Sequence, residues 1–308
     1  MVRTSTIGPG IPNVCWIIIA LVWEVIIIQH TFGIPGPIEE VLTITKKHNI
    51  LVIEDCAHAL GSTYAGKPLG TFGDAAILSF GRDKCVSSIF GGAVITKDKH
   101  RAQLLQDMQN ARPLPPTRWV LQQLLHPVLF SIILPIYFFH GLGKALLVGA
   151  QRIGLLSRAV AIEEREGKRP VHMQYAYSPA LALLLIQQLE KLDRYIQRRE
   201  EIAGRYQSAF GAHGDTLPYL RFPIVLQNRD ELILTARSQH VLLGDWYDAA
   251  LVPSTSTFWA FQYIPGSCPN AEALSSSILN LPTYPSLTDT QVEAMITLIT
   301  TYGHPINT

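Results

Sequence analysis

Residues Ile50 to Lys84 read "ILVIEDCAHALGSTYAGKPLGTFGDAAILSFGRDK", and this stretch decides the fold. "ILVIED" is a short apolar run ending in two acids, "AAILSF" is a second run, and "GAVIT" from Gly92 is a third. Such runs, bounded by turn residues, predict strands. Upstream, "PIEEVLTITKKHN" spaces Ile38, Val41, Leu42 and Ile44 at helical intervals, with a proline at its start and Asn49 at its end. The second half of Val14–Ile28, "VCWIIIALVWEVIII", lacks alternation and predicts a buried parallel strand. Strand–helix–strand at this spacing predicts an α/β chain with a βαβ-type sheet and helices on its faces. In such sheets ligands bind beyond the carboxyl ends of the strands. Asp55 stands at one such end and Ser79 near another. Lys84 follows five residues after Ser79, ahead of the pair Gly91–Gly92.

Composition narrows the class. A chain of 308 residues can bury a large core, and 48% hydrophobic with 16% charged residues is apolar without being a polytopic membrane profile. A formal charge of +1 lacks the basic excess that a phosphate track requires, so no nucleic-acid partner is expected. Cys15, Cys56, Cys85 and Cys268 are scattered, form no CxxC pair, and predict reduced thiols with neither a metal site nor a disulfide framework. Val14–Ile28 is short for a membrane span and is interrupted by Glu24.

Downstream, residues 178–210 predict one long amphipathic helix. Ser178 is placed to cap it, Pro179 suits its first turn, and Leu181, Leu185, Leu189, Leu192 and Ile196 form a stripe. After Gly214, "YLRFPIVL", "RDELILTARSQH" and "VLLGDWY" predict strand, helix and strand. Thr288 with Gln291 then forms a capping-box pattern at the start of a last helix. The division expected is residues 1–110, a partial large domain; 111–170, an insertion; 171–210, the linking helix; and 211–308, a smaller α+β domain.

The insertion has its own character. From Ala111 through Ile162 there is no Asp or Glu, while Arg112, Arg118, Lys144, Arg152 and Arg158 are present. At the chain's average a stretch of this length would hold about four acids. Two readings follow for residues 119–160: a helical hairpin lying in a membrane interface, or a buried helical pair covering the site between two subunits.

The blocks "VIEDCAHALGSTYAGKPLGTFGDAAILSFGRDK" and "FGGAVIT", with "HTFG" before them, closely resemble the DegT/DnrJ/EryC1/StrS family of sugar aminotransferases. These are pyridoxal 5'-phosphate enzymes of fold type I. The resemblance continues in "SPALALLLIQQLEKLDRYIQRREEIAGRY" and "CPNAEALSSSILNLPTYPSLTD". It implies a mainly parallel sheet with helices and a smaller C-terminal domain. Lys84 is then the lysine that holds the cofactor and moves the proton at the substrate's α carbon. Asp55 pairs with the pyridine nitrogen, Ser79 meets the cofactor phosphate, and His58 lies close to the ring. Each also has a plainer reading: Asp55 as a cap, Ser79 as turn filler, His58 as a half-buried histidine, Lys84 as a solvated surface residue. Their ordered combination favours the cofactor site.

The resemblance further implies a cytoplasmic homodimer that moves an amino group from a donor such as glutamate to a nucleotide-linked keto-sugar. Products of this kind feed surface glycans assembled on lipid carriers, which is consistent with a peripheral position at the inner membrane face. Lys84 counts against the family's dehydratase branch, which has histidine there. Two departures from the pattern stand out. "MVRTSTIGPGIPN" matches nothing expected before the "HTFG" strand, so the chain reads as lacking the usual N-terminal phosphate loop. Gln174-Tyr-Ala-Tyr-Ser178 puts Ala176 where the family's partner-reaching motif has arginine. The competing expectation is a non-catalytic remnant or a membrane-associated structural subunit.

Overall fold

The structure, a computed structural model, describes residues 17–19, 24–137, 139–157, 160–211, 215–252 and 261–305. The first part holds β1 (Ile17–Ile19), β2 (Val25–Gln29), α1 (Ile38–His48), β3 (Leu51–Asp55), β4 (Thr63–Tyr64), β5 (Lys67–Pro68), β6 (Ala75–Ser79), β7 (Gly92–Thr96) and α2 (Lys99–Asn110). Next come α3 (Thr117–Ile133), α4 (Leu142–Arg152), α5 (Ile162–Arg165), α6 (Pro179–Leu189) and α7 (Leu192–Phe210). The chain continues with β8 (Arg221–Val225), α8 (Arg229–Ser238), α9 (Pro269–Ser275), β9 (Ile278–Pro282) and α10 (Asp289–Tyr302). Met1–Asn13, Cys15, Arg158 and Gly214 lie outside the described residues.

A five-stranded sheet runs β1-β2-β3-β6-β7. β2, β3 and β6 are parallel, with Gln29 opposite Asp55 and Asp55 opposite Ile77. Both outer pairings, β1 with β2 and β6 with β7, are antiparallel. The sheet is therefore more mixed than the expected βαβ series. Only α1 is a helical crossover; β3 reaches β6 through the β4–β5 hairpin. β6 is followed by a loop, residues 80–91, that reverses the chain and sets β7 antiparallel.

α1 forms where the helical spacing predicted it. Glu39 and Glu40 lie in its first turn and Lys46, Lys47 and His48 in its last, each sign favourable to the helix dipole. Asn49 ends it in the left-handed region at φ 53°. Its Val41 packs with Ile26, Ile28 and Val52 between helix and sheet.

The predicted single helix 178–210 is two. α6 packs Leu185 against Phe80 and Val86 near the lysine loop, whereas α7 puts Ile202, Ala203 and Tyr206 into the core of the C-terminal part. Two different cores pull on the two halves, and the break falls at Glu190–Lys191. Ser178 occupies the N-cap position of α6 but its side chain makes no capping bond. The C-terminal core gathers Phe222 and Ile224 of β8, Leu232 of α8, Leu279 and Leu281 of β9, and Val292, Leu298 and Ile299 of α10. Burying each such side chain contributes about 1.5–3 kcal/mol. The Thr288–Gln291 capping box is formed as expected. "VLLGDWY" is not a strand: Gly244 only bridges Asn280, beside β9.

Candidate active site

The parallel register brings the carboxyl ends of β2, β3 and β6 to one edge of the sheet. Beyond it lie His30–Gly33, the turn Asp55–His58, and the loop from Ser79 to Gly91. All four residues singled out from the sequence sit at this edge.

Glu54 holds the edge together. It is fully buried, and its carboxylate accepts from the backbone N–H groups of Phe72, Gly73 and Gly70, each at 2.7 Å, and from His30 Nε2 at 3.1 Å. Gly36 N–H donates to His30 Nδ1 at 3.0 Å, so the ring proton is on Nε2. Burial alone would raise the Glu54 pKa, but the bonds from His30, Gly73, Gly70 and Phe72 outweigh it and hold the carboxyl below its ordinary value. His30, Glu54 and Cys56 have ligand-type atoms within 4.8 Å of one another. Both His30 nitrogens and both Glu54 oxygens are already engaged, and burial, with Glu54 and Asp55, pushes the Cys56 thiol up to about 12. This cluster is a structural latch.

Asp55, the next residue along β3, faces the other way. Its Oδ1 accepts from Ala57 N–H at 3.0 Å, which fixes the turn, and Oδ2 has no donor among the described residues. Asp55 lies close enough to Lys84 to favour that amine's charged form. Burial works against it and prevails: the Lys84 pKa is lowered, with Asp83 opposing the shift and Arg221 adding to it. Ser79 Oγ accepts weakly from Gly81 N–H at 3.4 Å. A Cβ on Gly81 would stand 3.6 Å from Ser79 Oγ and 3.7 Å from Lys84 Cγ, which places this glycine between the serine and the stem of the lysine.

His58 is buried and accepts from Phe32 N–H at Nδ1, 3.2 Å away. Its remaining Nε2–H points to Tyr247 Oη at 3.4 Å. Burial, aided by Lys84 and Arg221, pulls the His58 pKa down to about 3, so it works as a neutral N–H donor. The Phe32, His58 and Tyr247 rings lie nearly parallel, with centroids 5.7–6.3 Å apart. Phe32 is held at φ 60°, ψ 8°, a left-handed conformation unusual for its type. Burial pushes the Tyr247 hydroxyl up to about 12.

The C-terminal part closes the site. Arg221 on β8 pairs with Asp83 at 3.5 Å and stacks on Trp246, 3.2 Å from the ring centroid. Sequence reasoning missed Arg221, Tyr247 and the latch role of Glu54. A charge inside the apolar run "YLRFPIVL" was the one available sign for Arg221, and Tyr247 had none. The Gly91–Gly92 pair has a packing reason: a Cβ on Gly91 would strike the Tyr177 ring, and one on Gly92 would meet Leu78 O at 2.6 Å. Tyr177 Oη also bonds Ser88 Oγ, tying the segment before α6 to the lysine loop.

These residues suit pyridoxal phosphate. The site offers a partly desolvated amine, a carboxylate oxygen left over, a hydroxyl beside a glycine, and a buried Thr31 hydroxyl with no partner among the described residues.

Comparison with known proteins agrees with this chemistry. The model of the DegT/DnrJ/EryC1/StrS aminotransferase family matches residues 19–113 and 158–300. GDP-perosamine synthase of Escherichia coli O157:H7 is 27% identical over 279 residues, which is 87% of this chain and 63% of that protein. The chain thus spans less than two thirds of that relative's length. Among solved structures, a DegT/DnrJ/EryC1/StrS aminotransferase from Brucella abortus superposes with a TM-score of 0.64 at 20% identity, over 91% of this chain and 64% of its own. Helicobacter pylori PseC, an aminotransferase of pseudaminic acid biosynthesis, gives 0.63 at 17% identity, over 90% and 66%. The shared architecture is the α/β fold of type I pyridoxal-phosphate enzymes. By its family match, the chain belongs to the DegT/DnrJ/EryC1/StrS aminotransferase family.

Proposed function

We propose that the protein is a pyridoxal-phosphate-dependent aminotransferase that moves an amino group from an amino-acid donor such as glutamate to a nucleotide-linked keto-sugar, for glycan biosynthesis. The observation that carries the reading is the meeting of Lys84, Asp55, Ser79 and His58 at one sheet edge, with the Lys84 pKa lowered by burial. Family membership supports the chemistry, and of the relatives named above one makes GDP-perosamine and one is an aminotransferase of pseudaminic acid biosynthesis. A homodimer in the cytoplasm belongs to the same reading, on the strength of the family resemblance.

When bound, the cofactor supplies an electron sink for the bonds at the donor's α carbon. Lys84 would hold it covalently, and its amine would move the proton at the donor's α carbon in one half-reaction and at the acceptor carbon in the other. A lowered pKa suits that task, because the amine is more often unprotonated near neutral pH. Asp55, whose Oδ2 is an acceptor only, would pair with the ring nitrogen and keep it protonated. Ser79 Oγ and the N–H of Gly81 offer donors to the phosphate. His58 keeps its Nε2–H on Tyr247 Oη and, stacked with Phe32 and Tyr247, would exclude water from one side of the site.

The test is borohydride reduction of protein incubated with pyridoxal phosphate, read by peptide mass spectrometry, followed by an amino-transfer assay with glutamate. The adduct is expected on Lys84, and Lys84→Ala should lose it. An adduct of equal yield in Lys84→Ala would refute the assignment.

A further inference from the structure

The helical hairpin α3–α4 falls in the gap between the two segments of the family match, and it turns an apolar stripe outward while α3 buries two polar side chains. Along α3 the outward stripe is Leu121, Leu125, Val128 and Ile132, at intervals of four, three and four residues; Val128 is 55% and Ile132 58% exposed. The inward face carries Gln123, 0% exposed, and His126, also buried, with Ile133 at its end. Gln123 Oε1 accepts from Ser157 Oγ at 2.6 Å and from Arg82 at 3.3 Å. Arg82 also donates to Ser157 O at 2.8 Å. α4 likewise exposes Leu142 and Leu146, and Ile153 extends the apolar surface at 69%. Water-facing helices of soluble domains put these residue types the other way round. A contiguous apolar face of this extent marks a surface that something covers.

We propose that this face docks on the surface of an anionic lipid bilayer. Charge supplies the choice of occupant. No acid occurs from Ala111 through Ile162, and Arg112, Arg118, Lys144 and Arg152 lie on or beside the hairpin. A second copy of the chain meeting this face about a two-fold axis would set these cations against their own kind. Anionic headgroups complement them.

The hairpin lies in the interface. Thr117–Ile136 is long and apolar enough to cross a membrane. Crossing would strip Gln123 from Arg82 and Ser157 and expose it, together with His126, to hydrocarbon. Lying flat keeps that polar face on the protein and lets Leu121, Leu125, Val128 and Ile132 enter the lipid, while the long basic side chains reach the headgroups. Because Arg82 belongs to the Ser79–Gly91 loop, docking would hold the Lys84 site next to the bilayer surface, as a peripheral protein.

The experiment is flotation of the purified chain with vesicles of phosphatidylcholine and phosphatidylglycerol in equal parts, against vesicles of phosphatidylcholine alone. The chain should float with the mixed vesicles at low salt, and less so by about tenfold with phosphatidylcholine alone. High salt should weaken the binding several-fold. Leu125→Glu with Ile132→Glu should lower partitioning by at least about tenfold, and circular dichroism should be unchanged because both side chains are outside the core. Arg118→Glu with Lys144→Glu, which spares the apolar stripe, should weaken binding and flatten its salt dependence. Failure to float with the mixed vesicles at low salt overturns the proposal. So does a soluble dimer, seen by light scattering, that Leu125→Glu with Ile132→Glu splits in the absence of vesicle binding.

Discussion

At the carboxyl edge of the sheet a buried carboxylate has all its acceptor positions supplied with donors, while on α3 amide and imidazole groups are buried beneath a stripe of exposed leucine, valine and isoleucine. The first arrangement is what a folded domain in water requires: burying the Glu54 charge is tolerable because four hydrogen bonds replace its water. The second is what a helix covered on its outer side by something less polar than water would show, as the proposed docking on a bilayer requires. The two regions meet at Arg82, which leaves the lysine loop and binds Gln123 and Ser157 on the hairpin side. Packing and polarity therefore carry different information here. Packing locates the site, and polarity indicates what lies outside it.

The largest effect expected is at the latch. Glu54→Ala leaves three backbone N–H groups and His30 without an acceptor, at about 1–3 kcal/mol each, so a loss on the order of 5 kcal/mol is expected in chemical denaturation. A loss under about 2 kcal/mol would dissolve the contrast drawn above. The same group sets an acid limit. Its folded pKa lies below its ordinary value of 4.5, so its contribution is complete above that value and disappears as the pH falls through the folded pKa. Acid unfolding of the native chain should begin below the ordinary carboxylate range.

Its neighbour should behave oppositely. Asp55→Ala is expected to slow amino transfer by several powers of ten, on the order of 4 kcal/mol, while leaving thermal stability within about 1 kcal/mol. A large stability loss with near-normal turnover would move Asp55 from the chemistry to the scaffold. Smaller again is the link between the regions. Arg82→Met removes the bonds to Ser157 and Gln123 but relieves a buried cation whose pKa burial lowers to about 10. The net cost should be about 1–2 kcal/mol in denaturant unfolding. On the hairpin's outer face, Leu125→Ser should change stability by no more than about 1 kcal/mol, because that side chain stays 40% exposed in the folded chain and joins none of the buried clusters. A loss of about 2 kcal/mol or more would mean that Leu125 is packed, and the inversion of α3 would not hold.

Much of this is legible in the sequence alone. The run "ILVIED" with α1 ahead of it sufficed for a parallel strand pair, because β-branched runs and a 3.6-residue spacing act locally. Asp55, Ser79 and Lys84 were legible as residues that follow strand ends, and His58 through the motif that contains it. The acid-free composition of residues 111–162 also stood in the sequence.

Only the tertiary structure decided the rest. Glu54 and Asp55 are adjacent acids, and strand alternation alone says they face apart, not which one is latched and which faces the site. That depended on where Gly70, Phe72 and Gly73 present their N–H groups. Arg221 and Tyr247 reach the edge from well over a hundred residues away, a distance no local pattern spans. The helix predicted over 178–210 broke because its halves serve two cores, and the inversion of α3 appeared only once burial separated Gln123 from Val128. Composition and periodicity are local properties that a sequence carries by itself. Which face of an element meets the core is a balance of long-range burial, and that balance exists only in the folded chain.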